Sequence, residues 1–271
     1  MSQPDDNKSA QTDNLPGQAA ALFLGANAFA PYVDRLQADF GSERFVDWAT
    51  VILSQTMQTT VVSIYKLLPP AAKTAEAVDM RSLATLVRNV VDTHDVIDMM
   101  LGEGQSTDER HLNRQLLGHY MAARIAHVQR AVDAAKAQQF FPDAQSTYWA
   151  RIQQSPLYEK RMARLKSGES IFYKTRAERL IAACARHADF VGGVVADLST
   201  YVHSVPPALW LRPAAETYGD SEHNRDLIAV WLRISNYFFA RSIRAILHVT
   251  SYEKSPNLDD FLNHHREVFS G

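Results

Sequence analysis

Hydrophobic positions recur at helical spacing along most of the chain. Between 43 and 68, apolar side chains follow one another mostly at steps of three and four residues, and two prolines come directly after them. Such steps place the side chains on one face of a helix, so the pattern predicts a helix over 43–68. A second helix is predicted over 76–101, because Gly102 is a natural residue just after a helix end.

Two capping boxes mark the starts of later helices. Ser106 and Glu109 fit the first box and open a helix predicted to run to about Gln138. Thr175 and Glu178 fit the second. In this motif the hydroxyl caps a backbone N–H of the first turn, and the glutamate reaches back to the first residue. Each box therefore predicts a helix start.

A coiled-coil-like seam follows the second capping box. From Ala177 to Val202, apolar residues alternate four- and three-residue steps without a break. This alternation predicts one continuous helix that faces other helices. The residues on the side expected to be buried are Ile181, Val191, Val195 and Leu198.

The remaining segments complete an all-α pattern. The segment 221–251 is apolar nearly all round and is predicted to be a central helix. Two short helices are expected within 140–168, and a short amphipathic tail within 258–269. No series of alternating strands is visible, so we predict a multi-helix bundle. Residues 1–16 are expected to be a disordered tail, and 17–271 a single helical domain.

Composition narrows the function classes. The 271 residues carry 28 Lys and Arg against 30 Asp and Glu, a net charge of −2. This balance excludes a globally basic nucleic-acid binder but leaves a local basic patch open. One cysteine allows neither an internal disulfide nor a thiolate cluster for a metal. Without a secretory pattern or a long apolar segment, we expect a cytoplasmic protein with no membrane partner.

Common catalytic motifs are missing from the sequence. No phosphate-binding loop, H-E-x-x-H motif, G-x-S-x-G motif or di-iron E-x-x-H pair occurs. We therefore expect no cofactor and no metal. His111, His119 and His127 lie eight residues apart, which is about 12 Å from one to the next along a helix. One metal ion cannot bridge that distance, so we interpret these three histidines as surface or interface residues.

The first candidate site lies on the predicted helix 76–101. Arg88, Asp92 and Asp95 fall on the face opposite an apolar stripe that includes His94. Two interpretations stay open: a solvated ion pair, or a preorganised anion site if other helices cover this face. His94 is expected to be a hydrogen-bonded core histidine rather than a catalyst, but it stays among the candidate catalytic residues.

The second candidate site lies at a predicted helix end. His203 precedes two prolines and follows Ser199 by four residues. A helix C-terminus favours the protonated form of histidine, so His203 is a candidate for binding or for general acid–base chemistry. The alternative is a histidine that only caps the helix.

These two motifs resemble those of a prokaryotic domain-of-unknown-function family. The L-x-R-x-x-x-[ED] motif contains Arg88, with Asp92 where glutamate is commoner, and the L-S-x-x-x-H motif ends at His203. The family is related to the HEPN superfamily (higher eukaryote and prokaryote nucleotide-binding). The segment from Arg88 to His94 also matches the R-x(4–6)-H motif of HEPN ribonucleases. The resemblance implies a HEPN-like four-helix core with extra helices over roughly 40–250.

Three functions follow as hypotheses. The first is a bacterial binding or regulatory protein that takes a nucleotide, RNA or a protein partner in a polar pocket, with a homodimer left open. Its expected ligand-binding residues are Arg88, Asp92, Asp95, Ser199 and His203. The second is a metal-independent endoribonuclease of the toxin or phage-defence type. In it, Arg88 would stabilise the phosphorane and His94 or His203 would move the 2′-OH proton. The third is a purely structural interaction protein. The sequence does not decide whether the chain is an enzyme.

Overall fold

The structure is a computed structural model that describes residues 14–39, 45–68, 78–132, 142–202, 222–266 and 268–269. Every regular element in these ranges is a helix, so the predicted all-α, multi-helix architecture is confirmed. None of the helices in the same ranges is long and apolar enough to cross a membrane. The chain divides into two compact units. We call Met1–Asp98 with Leu180–Gly271 the terminal unit, and Met99–Arg179 the middle unit.

The described residues form nine α-helices and two 3₁₀ elements. In chain order they are α1 (Leu15–Asp39), α2 (Phe45–Leu67), α3 (Met80–Leu101), α4 (Thr107–Val132), α5 (Pro142–Gln153), a 3₁₀ helix (Lys160–Ser167), α6 (Arg176–Cys184), a 3₁₀ turn (Ala185–His187), α7 (Ala188–Val202), α8 (Glu222–Thr250) and α9 (Pro256–His264). Whether 17–271 forms one domain stays a prediction.

Helix α8 is the centre of the terminal unit, as its apolar sequence predicts. Trp231, Phe238 and Phe239 are fully buried along it. The ring of Phe239 meets that of Phe29 on α1 edge to face, with centroids 5.8 Å apart. Aromatic side chains of this size contribute most of the buried apolar area in a core. The unit is therefore organised around one helix that is buried on almost every side.

Helix α1 was not predicted from the sequence. Its buried residues recur at steps of four and three, which is a helix signal, but Pro31 lies inside it and prolines usually end helices. The first turn begins at Leu15, where the Asn14 side chain accepts a hydrogen bond from the Gly17 N–H at 2.9 Å. Residues 15 and 16 therefore belong to the helix rather than to the expected tail, and 1–13 lie outside the described residues. The buried residues with this spacing are Leu22, Ala26, Phe29, Val33 and Leu36.

The predicted seam does not form a single helix. Ala185 has φ 46°, a left-handed conformation that interrupts the chain between α6 and α7. The break changes the helical phase, so α6 buries Leu180 and Ala183 while Ile181 is 61% exposed. The prediction that Ile181 is buried is therefore wrong. The α7 part of the seam is confirmed, because Val191, Val195 and Leu198 are fully buried.

The middle unit is built around a small core of its own. Helices α4 and α5 and the 3₁₀ helix contribute its buried side chains, and both capping boxes close as predicted, with reciprocal bonds between Ser106 and Glu109 and between Thr175 and Glu178. A Cβ at Gly118 would lie 2.5 Å from the Tyr148 ring, so glycine is needed where α5 approaches α4. The core residues are Leu112, Leu116, Trp149, Ile152, Met162 and Leu165.

The left-handed residue at the α6–α7 break gives a test of the fold. Alanine in this conformation is strained, so Ala185→Gly should raise the free energy of unfolding, by up to about 1 kcal/mol. The matched control is Ala196→Gly in the exposed middle of α7, which should lower it by about 1 kcal/mol. Thermal melts followed by circular dichroism measure both changes. Equal destabilisation by the two variants would contradict the break at Ala185.

Candidate functional site

Arg88 and Asp92 form an ion pair one turn apart on α3. The Arg88 Nε lies 3.4 Å from an Asp92 carboxylate oxygen, and the two side chains are 21% and 41% exposed. A pair in contact with water to this extent contributes under about 1 kcal/mol. The pair is neither fully solvated nor fully covered by other helices, because Arg88 is the more buried partner and Asp92 the more exposed one.

His94 is a core histidine, 1% exposed. Its Nδ1 lies 3.1 Å from the Ser242 hydroxyl oxygen, and that hydroxyl donates its own proton to the Phe238 carbonyl at 2.8 Å. The serine oxygen therefore accepts from an Nδ1–H of the histidine. Burial, and then the charges of Arg241 and Arg244, lower the pKa of His94 to about 3. This imidazole is neutral and shielded from ligands.

Of the other predicted site residues, the structure describes Asp95 and Ser199. Asp95 is 6% exposed, so this part of the face is covered, as in the second of the two interpretations. Val91 and Asp95 of α3 are buried although both lie outside its apolar stripe. The Ser199 hydroxyl donates to the Val195 carbonyl of its own helix at 2.9 Å. His203 lies outside the described residues, so its predicted meeting with Arg88 stays a prediction.

A buried polar cluster surrounds the break between α6 and α7. The Ala183 carbonyl accepts hydrogen bonds from the Tyr237 hydroxyl and from Arg241 of α8. Next to it, burial raises the pKa of the Cys184 thiol to about 12; the Asp95 carboxylate adds to the rise and Arg241 opposes it. The thiol therefore stays protonated, as expected of an inert core cysteine, and the cluster stabilises the fold.

The largest concentration of cationic chemistry lies in the middle unit. We define the basic-aromatic surface by the cations Lys160, Arg161, Arg164, Lys166, Lys174 and Arg179 and the rings of Phe172 and Tyr173. Among the cations all but Arg179 are exposed, and both rings are half-buried. The Arg179 guanidinium lies 3.9 Å from the Phe172 ring centroid, and the Lys174 ammonium 5.7 Å from that of Tyr173. The surface thus combines positive charge with aromatic faces.

The basic 3₁₀ helix Lys160–Ser167 carries half of this surface. Met162 and Leu165 are buried in the core of the middle unit and hold one side of the helix against it. The four cations of this helix, Lys160, Arg161, Arg164 and Lys166, are exposed on its other sides. Arg164 ties the helix to the next segment by donating to the Tyr173 carbonyl at 2.9 Å.

Gly168 closes the basic 3₁₀ helix at a position that only glycine fits. Its φ of 73° is left-handed, and an added Cβ would lie 2.2 Å from the Ala123 Cβ of α4. The helix end is therefore fixed close to α4 by backbone geometry as well as by packing. A surface held in this way presents its charges in one arrangement.

Most of the charge on the basic 3₁₀ helix is free to meet a ligand. Arg161 binds Glu159 and Glu178 at 2.6 and 2.8 Å. The Thr175 N–H and then Arg161 lower the pKa of Glu178 to about 2. Lys160, Arg164 and Lys166 form no ion pair with any described residue. Three cations therefore remain uncompensated by acidic groups.

Whole-chain composition conceals this surface. The middle unit contains 13 Lys and Arg against 8 Asp and Glu, whereas the rest of the chain contains 15 against 22. The two imbalances nearly cancel in the net charge. Counting charge by segment would have found the basic unit, and the aromatic residues at 172 and 173 among its cations would have marked the surface.

The terminal unit has a different cationic feature. A cleft of about 530 Å³ lies between the end of α2 and the start of α3, with Lys66 and Arg81 among its lining residues. Within the part of the chain that the structure describes, no group of three histidine, cysteine or acidic residues is arranged to hold a metal ion. The cations of this cleft provide a control for those of the basic-aromatic surface.

Comparison of the chain with protein-family models, curated proteins and solved structures found no match. The resemblance to the HEPN-related family therefore stays a prediction from the two sequence motifs.

Two buried histidines make the terminal unit sensitive to acid. The pKa values of His94 and His265 are both lowered to about 3, chiefly by burial. The unfolded chain takes up these protons near pH 6.5, so the free energy of unfolding should fall as pH drops from about 6.5 towards 3. His94→Gln should make that pH dependence shallower, while His248→Gln, at an exposed position, should not. Melting temperatures across this range check it, and an unchanged slope for His94→Gln would disprove it.

Proposed function

We propose that this chain is a nucleic-acid-binding protein and that its basic-aromatic surface binds single-stranded RNA. The observation that carries the proposal is the set of three uncompensated cations, Lys160, Arg164 and Lys166, on a fixed helix beside the rings of Phe172 and Tyr173. Phosphates supply most of the affinity for such a surface, and aromatic or guanidinium faces stack on unpaired bases.

The rings favour single-stranded RNA over the other polyanions. In a duplex the faces of the bases are stacked on one another, so they offer nothing to Phe172 or Tyr173. An acidic peptide would satisfy the cations but would leave the aromatic faces without a matching group. The half-buried rings, each within 6 Å of a guanidinium or ammonium group, suit a planar base.

The proposal keeps the first hypothesis from the sequence and moves its site. A binding protein for RNA was expected around Arg88, Asp92 and His203, and the new site lies in the middle unit. The HEPN-like four-helix core remains part of the proposal through the motif resemblance. The cytoplasmic location remains part of it through the sequence, which has no secretory pattern and no long apolar segment. The endoribonuclease alternative needs a histidine beside Arg88; His203 lies outside the described residues, so that arrangement stays a prediction. A homodimer and a protein partner likewise stay predictions.

Charge reversal on the basic 3₁₀ helix tests the proposal. Fluorescence anisotropy with a labelled single-stranded RNA should give a dissociation constant of about 1–100 μM at physiological salt. The triple variant K160E/R164E/K166E removes three cations, so the slope of log affinity against log salt should become shallower by about 2. Circular dichroism should be unchanged, because all three side chains are exposed.

A matched triple variant controls for net charge. K66E/R81E/R266E makes the same change in charge at exposed positions of the terminal unit, including the cleft. It should leave the salt slope within error of that of the wild type. The proposal would be wrong if this control lost RNA affinity while the first variant kept it. It would also be wrong if an acidic peptide bound the wild type and RNA did not.

Inorganic polyphosphate separates stacking from simple charge attraction. It offers phosphates but no bases, so an aromatic side chain should contribute nothing to its binding. Phe172→Ala should weaken RNA binding by about 1–3 kcal/mol and leave polyphosphate binding unchanged. Equal losses for the two ligands would contradict the stacking role of this ring.

A further inference from the structure

His119 lies in α4 and is 2% exposed, so it is a buried residue rather than the surface or interface residue expected from the sequence. Its Nδ1 lies 3.1 Å from the Gln145 carbonyl oxygen. Its Nε2 lies 3.0 Å from the Leu165 carbonyl oxygen and 3.2 Å from that of Lys166. The Trp149 ring packs beside it, with centroids 5.3 Å apart. Both ring nitrogens therefore face oxygen atoms that only accept hydrogen bonds.

Only the protonated imidazole satisfies this arrangement. A neutral ring has one N–H and one lone pair, so one nitrogen would direct its lone pair at a carbonyl oxygen in a buried place. The imidazolium donates from both nitrogens. The carbonyls of Leu165 and Lys166 belong to the last turn of the basic 3₁₀ helix, and they also accept hydrogen bonds from the Gly168 N–H at 2.9 Å and from the Gln145 side-chain amide at 3.4 Å, respectively. The carbonyl dipoles at a helix C-terminus favour a nearby cation.

This contact connects the histidine directly to the basic-aromatic surface. The 3₁₀ helix that accepts its hydrogen bonds carries Lys160, Arg164 and Lys166 on its outer side. From α5, the Gln145 carbonyl and the Trp149 indole face the ring; from the 3₁₀ helix, two carbonyls face it, and the Lys166 ammonium is exposed. The charged ring thus joins α4, α5 and the basic helix at one point.

We propose that His119 is a proton-dependent positioning residue, whose imidazolium form holds the basic 3₁₀ helix in the geometry that binds RNA. The inference rests on the proposed function of that surface. Protonation adds the second N–H donor that this arrangement needs, so RNA affinity rises as the pH falls from about 8 to about 5. RNA phosphodiesters keep their charge over the same range, so the change originates in the protein.

Anisotropy titrations across this pH range, at constant ionic strength, test the link. The variants are His119→Gln, which keeps one donor but does not titrate, and His111→Gln, an exposed histidine two turns earlier on α4. Wild type and His111→Gln should gain up to about tenfold in affinity towards low pH, equivalent to about 1.4 kcal/mol. His119→Gln should give a nearly flat profile. If its profile followed that of the wild type, the inference would fail while the proposed function stood.

Nitrogen-15 NMR of the histidine rings is measured on the wild-type protein, so its result does not depend on whether a variant folds. The His119 ring should carry protons on both nitrogens at the pH values where RNA binds tightly, and should lose one over the range where affinity falls. A single neutral tautomer throughout the range would overturn the inference. Failure of the wild type to bind RNA at any pH would instead overturn the proposed function, and this inference with it.

Discussion

Carbonyl groups at interrupted helices must find donors, and both units are organised around this requirement. A buried carbonyl without a partner costs roughly 1–3 kcal/mol. In the terminal unit, the break before Ala185 exposes the Ala183 carbonyl, and Tyr237 and Arg241 from the central helix satisfy it. In the middle unit, the Leu165 and Lys166 carbonyls at the end of the basic 3₁₀ helix meet His119 from α4, together with the Gly168 N–H and the Gln145 side-chain amide. In each case a polar side chain from a neighbouring helix fixes where the interruption lies.

The same constraint explains how the middle unit presents its charge. Most 3₁₀ helices are short, because their hydrogen bonds are poorer than those of an α-helix. This one has eight residues, so contacts outside the helix must stabilise it. Met162 and Leu165 hold one side of it in the core, Gly168 ends it against α4, and His119 binds its last carbonyls. Because the inner side of the helix packs against the core, its cations lie on the outer side and point to solvent.

The sequence predicts the helices better than it predicts the site. Capping boxes and apolar periodicity depend on local physics, so both box helices and the central α8 follow from the residues alone. The break at Ala185 does not follow, because nothing in an unbroken apolar pattern signals a left-handed alanine. Burial of Asp95 and His119 also does not follow, since it depends on which helices cover them. Counting charged residues segment by segment would have predicted the basic-aromatic surface, whereas the net charge of the whole chain conceals it.

The central claim is that RNA lies on the basic-aromatic surface, and photochemical cross-linking locates it most directly. A single-stranded RNA containing 4-thiouridine would be irradiated with the full-length wild-type protein, and the cross-linked peptides identified by mass spectrometry. We expect cross-links in the segment 160–179, centred on Phe172 and Tyr173. Cross-links confined to the terminal unit, with none in that segment, would contradict the account.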